Sequence, residues 1–455
     1  MSLFHEEILS RFGGEDAAAC ACGRRHHLQV REILLGEGAL AESAERFSRG
    51  PAGSAWVLSD EYTDAAAGMT WRARVRGKRV LSRVLPAWPR PVPTDALVAE
   101  LAAEVRAAAP DLIVAVGSGV VSDLGKAVSH QVGAPSWSVA TAPSVDAYTS
   151  GTAAIRVGGY HQALPTTPSA VVVCDLRVLA TAPRPLFLAG LGDLLAKYLA
   201  RVDWPLAHLI TGEPFCQALS SLAVASARQA VQAAELVVRD PTAAAAALID
   251  AGLVSGLCMQ ALGSSRPAAA SEHTIAHFWE MAGAVTREEN DLHGLLVGAA
   301  SRPVLRGYAE LYPRLRTAAV DPAARRAVLD RAPGWEAALP PEMARFRETL
   351  DAVERSQARA RAALASHLEA FSRKREQVLE LAGPVLEELA GAVGTLERLG
   401  FPFSPAVLGL ADPWLHLGVR HARRLRDRYT TFDLAHELGQ EPVLLAAAEA
   451  GLDEP

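Results

Sequence analysis

Short apolar runs alternate with longer helical repeats through the first 183 residues of the chain. Glu32–Leu35, Ala55–Leu58, Leu112–Val116, Ser136–Ala140 and Ala170–Cys174 read as strands, because each is short and rich in aliphatic side chains. Between them lie segments such as Asp95–Ala108, whose apolar positions recur at helical spacing. Alternation of this kind predicts βα units around a mostly parallel sheet. The Pro183-Arg184-Pro185 cluster ends the rhythm, and no strand is expected beyond it.

From Leu186 onward the chain is rich in Ala and Leu at helical spacing. Ala218–Val238, Ala243–Leu262, Ala344–Val393 and Pro413–Asp427 are predicted helices. The charged stretch Arg345–Arg375, with Glu and Arg at helical spacing, reads as a solvated amphipathic helix. The expected fold class is therefore an α/β, Rossmann-like N-terminal domain (residues 1–183) and an all-helical C-terminal domain (184–455).

One junction carries chemistry at once. The strand Leu112–Val116 runs into Gly117-Ser118-Gly119, and a helical pattern starts immediately. A helix N-terminus behind a glycine turn favours an anion, through exposed N–H groups and the helix dipole. A second apolar piece, Trp137–Ala140, breaks into Thr141-Ala142-Pro143-Ser144-Val145-Asp146. The turn lacks the third glycine of G-x-G-x-x-G and the Gly-Lys-Ser/Thr ending of a P-loop, so it reads equally as a plain βα turn. Asp60, just after Ala55–Leu58, is placed to accept hydrogen bonds from an adenine ribose; a surface Asp ending a strand is the alternative.

Composition narrows the partners. The formal net charge is −6 and no basic stripe with interleaved aromatics occurs, which excludes nucleic acid as the main partner. No run of about 18 apolar residues stands out, so no membrane span is expected. The N-terminus MSLFHEEILSRFGGED is acidic and polar, and a cytoplasmic protein is expected. Five cysteines are few and odd in number, so reduced thiols are expected rather than a disulfide framework. Cys20 and Cys22 stand near His26 and His27 in CACGRRHH, but C-x-C is not the usual C-x-x-C knuckle. The expected reading is a solvent-facing loop.

Three segments carry ionisable residues in a suggestive pattern: Gly190-Leu191-Gly192-Asp193 before a helix Leu194–Arg201, Ser271 to His277, and Asp291-Leu292-His293-Gly294. His273 and His277 are four apart and share a helix face. With His293 and Asp193 they offer an Asp/His set that suits a divalent Lewis acid with an open position. The spacing does not match the protease pattern H-E-x-x-H.

Taken together, CACGRRHH, LSDEYTDAAAG, VGSGVVSDLGK, TAPSVDAYTSG, LAGLGDLLAK, DWPLAHLITGEPFC, GSSRPAAASEHTIAHFWEM, LHGLLVG and RDRYTTFDLAHELG occur in an order that resembles the glycerol-1-phosphate dehydrogenase family. The likeness is to its bacterial AraM-like branch, within the iron-containing alcohol dehydrogenase and dehydroquinate synthase-like superfamily. The resemblance implies a hydride transfer between NAD(P)H, with NAD favoured, and dihydroxyacetone phosphate, giving sn-glycerol 1-phosphate. It places Asp60 at the adenosine end. Gly119, Val120, Val121, Ser122 and Asp123 hold the pyrophosphate, with Gly117 forming the turn. Thr141, Ala142, Pro143, Ser144 and Ser150 lie at the nicotinamide half.

By the same resemblance Asp146, Asp193 and His277 contact substrate, His277 and Asp193 are catalytic, and Asp193, His273 and His293 bind one divalent metal. Zinc is the first choice, with nickel or iron fitting the same donors. A homodimer is implied. Relatives often carry glycine where this chain has Ala269-Ala270 before Ser271. The substrate phosphate has no identified ligand; Lys197 and Arg266 are candidates. Another metal-dependent polyol dehydrogenase, glycerol dehydrogenase-like, and a catalytically silent NAD-binding homologue are the alternatives.

Overall fold

A computed structural model describes residues 4–13, 19–286, 292–330, 341–347, 351, 362–404 and 409–453. The chain separates into two compact units, Met1–Leu194 with Ala225–Ser265, and Leu195–Val224 with Arg266–Pro455.

The first unit is built on a six-stranded parallel sheet: β1 Glu32–Gly36, β2 Ser54–Asp60, β3 Arg79–Leu85, β4 Leu112–Gly117, β5 Ser136–Ala140 and, after a hairpin of β6 Thr152–Val157 and β7 Tyr160–Pro165, β8 Val171–Asp175. The strand order is β1-β8-β5-β4-β2-β3. Side chains alternate across the pleat, so each central strand serves two cores. Ala55, Val57, Leu112, Val114 and Val116 pack with Leu40, Phe47 and Trp71 on one face. Trp56, Leu58, Ile113 and Ala115 pack with Leu101, Val105, Leu124 and Val128 on the other. This two-sided burial is why β4 reads as a continuous apolar run.

The five strands expected from sequence are present, within a residue or two at their ends. Edge strand β3 was not expected, because Arg79, which is exposed, and Arg83, which is half-buried and paired with Glu100, interrupt its apolar run. The β6–β7 hairpin was not expected either, although Gly158-Gly159, both at positive φ, is a strong hairpin signal.

Helices of this unit begin and end as local chemistry dictates. Asp95–Ala108 is capped by the Thr94 hydroxyl, which accepts from the Leu97 N–H at 3.1 Å. Pro241–Leu262 is capped by Asp240, carries Pro in its first turn and ends on Gly263 at φ 74°. By length and mean hydropathy this last helix is apolar enough to cross a membrane, although Asp250, Ser255 and Gln260 interrupt its apolar run. Its most apolar window is 83% buried in the protein, which makes it a core helix. Its Asp250 accepts the Phe4 and His5 N–H groups and tethers the N-terminal helix Phe4–Phe12.

One further correction concerns Asp193. The segment Gly190 to Asp193 does not precede a helix but lies inside a single helix, Arg184–Thr211. Gly190 is required there by packing: a Cβ would stand 1.9 Å from the Pro143 carbonyl oxygen. The glycine is a close approach of helix to turn, and a helix tolerates it at a cost of about 1 kcal/mol.

The second unit is helical among its described residues. It includes Ser271–Thr286, His293–Leu315, Leu364–Arg398, Asp412–His421, Thr431–Leu438 and Glu441–Ala450. Phe278, Trp279, Leu296, Tyr308, Phe371, Leu389 and Leu444 are all buried in its core. The long helix predicted over Ala344–Val393 is realised as Leu364–Arg398, preceded by a 3-10 turn at Pro341–Phe346; residues 348–350 and 352–361 of that prediction lie outside the described residues, as does Asp291.

Candidate active site

In the first unit, the connections from β2 and β4 leave in opposite directions along the sheet, toward β3 and β5. Ligands of doubly wound sheets bind beyond the carboxyl ends of strands at such a switch point. Asp60 ends β2 and Gly117 ends β4, so both predicted cofactor residues stand there. The Asp60 carboxylate accepts the Tyr62 and Thr63 N–H groups, each at 2.9 Å, and caps the short turn that follows. Gly119 opens the helix Gly119–Val132, and Val120, Val121, Ser122 and Asp123 form its first turn.

Gly125 supplies what the glycine pattern lacked. A Cβ there would lie 2.4 Å from the Ala115 Cβ on β4. The helix can therefore sit hard against the strand, the task of the third glycine in G-x-G-x-x-G. The spacing differs, which is why the motif was incomplete on paper.

The turn after β5 is held from several sides. The Thr141 N–H donates to the Gly117 carbonyl at 3.2 Å, and the Tyr148 hydroxyl to the Ala142 carbonyl at 2.7 Å. Tyr148 is fully buried, and burial pushes its hydroxyl well above the ordinary tyrosine range. The Asp146 carboxylate accepts from Ser255 Oγ at 2.7 Å, and the Asp146 N–H donates to Asp193 Oδ2 at 3.2 Å. Asp146 and Asp193, separated by 47 positions in sequence, are thus neighbours.

Lys126 was missed in the sequence. Its ammonium, fully buried, donates to the Ala147 carbonyl at 2.8 Å, the Thr152 carbonyl at 2.6 Å and Ser150 Oγ at 3.1 Å, and pairs with Asp123 Oδ1 at 3.0 Å. Asp123 Oδ2 accepts the Ala154 N–H at 3.1 Å. The Asp123 side chain is therefore a brace for the Ala147–Thr152 loop, and any contact it makes with phosphate comes from its backbone.

In the second unit, His273, His277 and His293 gather. Their ring centroids are 6.2 Å (His273–His277), 5.4 Å (His273–His293) and 5.3 Å (His277–His293) apart. Each imidazole is fixed through Nδ1 by a carboxylate: His273 by Glu272, His277 by Glu280 Oε2 and His293 by Glu280 Oε1, all at 2.8 Å. A carboxylate accepts only, so Nδ1 carries the proton and Nε2 the lone pair. This is the arrangement in which imidazoles ligate a metal, with an outer carboxylate setting tautomer and orientation. The residues present thus fit a divalent ion.

Glu272 is fully buried and also accepts the Ala270 N–H at 2.8 Å, so the Ala269-Ala270 pair leads into a formed helix start. The same helix start is anchored by Asp203, which accepts from Ser271, Tyr308 and Thr431 hydroxyls. Burial raises the Asp203 carboxyl above the usual range.

Glu280 was not singled out from sequence, though its spacing of three from His277 was visible. It orients two rings with two oxygens. Glu280→Gln leaves one of the two without an acceptor, and metal affinity is expected to fall about 10- to 100-fold. Competition with a chromogenic chelator measures this; unchanged affinity would remove Glu280 from the site.

A small pocket opens beside the first turn of the same helix, lined by Ser271, Thr274, Arg423, Arg426, Arg428 and Thr430. Arg428 is pushed down to about 9, by burial first and then by the charges of Arg426 and Arg266. Of the two sequence candidates for phosphate, Arg266 is committed to Glu213 through two hydrogen bonds of 2.6 and 2.5 Å, and Lys197 is buried.

Comparison with known proteins bears on this arrangement. A family model described as iron-containing alcohol dehydrogenase matches residues 34–183. The glycerol-1-phosphate dehydrogenase (NAD(P)+) of Bacillus licheniformis is 32% identical over 298 residues, covering 62% of this chain and 72% of that protein. The protein of the same name from Bacillus velezensis is 30% identical over 331 residues, covering 71% and 81%. Among solved structures, a probable glycerol dehydrogenase from Sinorhizobium meliloti aligns with a TM-score of 0.58 at 16% identity, over 92% of this chain and 98% of its own. An iron-containing alcohol dehydrogenase from Thermococcus thioreducens gives 0.56 at 17% identity, over 94% and 100%. Those two likenesses are of fold.

Proposed function

Because the chain belongs to the glycerol-1-phosphate dehydrogenase family and is an oxidoreductase of the alcohol dehydrogenase type, we propose that it catalyses the reversible reduction of dihydroxyacetone phosphate to sn-glycerol 1-phosphate by NADH or NADPH. The observation that carries this reading is the set of three imidazoles, each held at Nδ1 by a carboxylate with Nε2 left as the lone-pair nitrogen.

Residues 1–183 are the proposed NAD(P)-binding part and 184–455 the metal- and substrate-binding part, in a cytoplasmic homodimer. Asp60 receives the adenine ribose and, as a carboxylate, favours NAD over NADP by repelling a 2′-phosphate. The N–H groups from Gly119 to Asp123 receive the pyrophosphate at the helix N-terminus. Thr141 to Ser144 and Ser150 border the nicotinamide, on a loop that Lys126 holds in place.

Asp193, His273 and His293 are the proposed ligands of a divalent ion, zinc first, with nickel or iron fitting the same donors. When bound, the cofactor supplies the hydride and the ion supplies Lewis-acid polarisation of the carbonyl. Asp146, steadied by Ser255, accepts from a substrate hydroxyl. His277 passes a proton between Nε2 and the substrate oxygen, directly or through water, while Glu280 keeps its ring in register.

The test is oxidation of NADH and NADPH with dihydroxyacetone phosphate, set beside unphosphorylated dihydroxyacetone and glycerol. Turnover is expected to favour the phosphorylated ketone. Better turnover of the unphosphorylated substrates would instead identify a polyol dehydrogenase.

A further inference from the structure

CACGRRHH lies outside the chemistry above, and its loop is solvent-facing at Ala21, Gly23, Arg24, Arg25 and His27 but not at Cys20 and His26. Cys20 is 8% exposed and His26 only 1%. The segment Cys20–Arg24 closes on itself through two backbone hydrogen bonds, from the Cys20 N–H to the Arg24 carbonyl at 3.0 Å and from the Gly23 N–H to the Cys20 carbonyl at 2.9 Å. Gly23 takes φ 81°, in the left-handed region where glycine is at ease. The result is a tight knuckle although the spacing is C-x-C.

The knuckle aims its donors at one point. The candidate ligand atoms of Cys20, Cys22 and His26 lie within 4.8 Å of one another, and Cys22 Sγ is 3.3 Å from His26 Nε2. His26 Nδ1 lies 2.8 Å from the Ala261 carbonyl. A carbonyl accepts only, so Nδ1 carries the proton and Nε2 presents its lone pair toward the sulfurs. The His26 ring is further fixed edge-to-face against Phe12, with centroids 5.1 Å apart. The five cysteines form no disulfide, so neither sulfur of the pair is tied up in one.

We propose that Cys20, Cys22 and His26 form a second metal site, taking a structural Zn2+ through two thiolates and one imidazole, with a further donor completing the tetrahedron. Both thiol protons leave to solvent on binding, and no redox change occurs. The His26–Ala261 hydrogen bond plays the part of the outer contact that sets tautomer in metal-binding histidines. The site pins the N-terminal segment to the end of the helix Pro241–Leu262. Gln260 on that helix receives the Gln29 and Val30 N–H groups and donates to the Thr149 carbonyl at 2.8 Å, next to the loop of Ser150.

Cobalt substitution tests this in the whole chain. Protein loaded with Co2+ is expected to show intense near-ultraviolet thiolate-to-cobalt absorption. Cys22→Ser and His26→Ala should each lose that absorption or shift it, and each should lose one of two zinc equivalents by elemental analysis. His273→Ala should keep the absorption and lose the other equivalent, which separates this site from the catalytic one. Should the knuckle variants not fold, the wild-type spectrum decides alone: Co2+ bound without thiolate absorption overturns the proposal. So does zinc content unaffected by Cys22→Ser.

Discussion

Alanine at His273 or His293 is expected to cut turnover at least about 10³-fold, because a bound Lewis acid supplies several kcal/mol of charge stabilisation and each 1.4 kcal/mol is tenfold. Both rings are held at Nδ1 by a carboxylate. His273 is buried against Glu272, and His293 shares Glu280 with His277, so each loses a ligand without opening a large cavity. Metal content should fall in parallel with turnover, measured by elemental analysis beside NADH oxidation. His277→Ala should behave differently, slowing catalysis while metal content stays near normal. A metal-free His273→Ala protein that still reduces dihydroxyacetone phosphate would sink the mechanism.

Lys126→Met should strongly destabilise the sheet-bearing unit. The substitution leaves Asp123 as a buried charge without its cation, and strips a donor from the Ala147 and Thr152 carbonyls. Breaking a buried pair costs about 3–5 kcal/mol. For a unit of roughly 150–250 residues that corresponds to a fall in Tm of about 6–20 °C. The same loop carries Ser150, so KM for NADH should rise as well. Thermal unfolding followed by circular dichroism checks the first effect, and steady-state kinetics the second. A Tm within about 1 °C of the parent would show that the loop does not depend on this brace.

Much of the fold was legible because burial on both sheet faces leaves a plain trace. Leu112–Val116 and Ala170–Cys174 are apolar throughout, and nothing but a central strand suits them. Edge strand β3 was illegible for the converse reason, since one free edge permits Arg79 and Arg83. The helix boundary at Asp193 was misplaced because glycine reads as a break, whereas Gly190 is there to let a carbonyl approach.

The site divides along the same line. His273 and His277 declared themselves by helical spacing, and the Gly-Ser-Gly turn by its place between strand and helix. Glu280, Lys126 and Gly125 did not, because each acts on a neighbour that only folding supplies. Arg423, Arg426 and Arg428 meet Thr274 across some 150 positions of chain.

By itself, then, the amino-acid order determined the α/β and helical halves, the glycine turn and the identity of the imidazoles, since those rest on periodicity and local backbone freedom. Tertiary structure decided which nitrogen of each imidazole carries the lone pair, which carboxylate is a brace, and that Cys20 and His26 of CACGRRHH turn inward. Those depend on partners such as Ala261 and Glu280, brought within hydrogen-bond distance by packing, and no spacing rule encodes them.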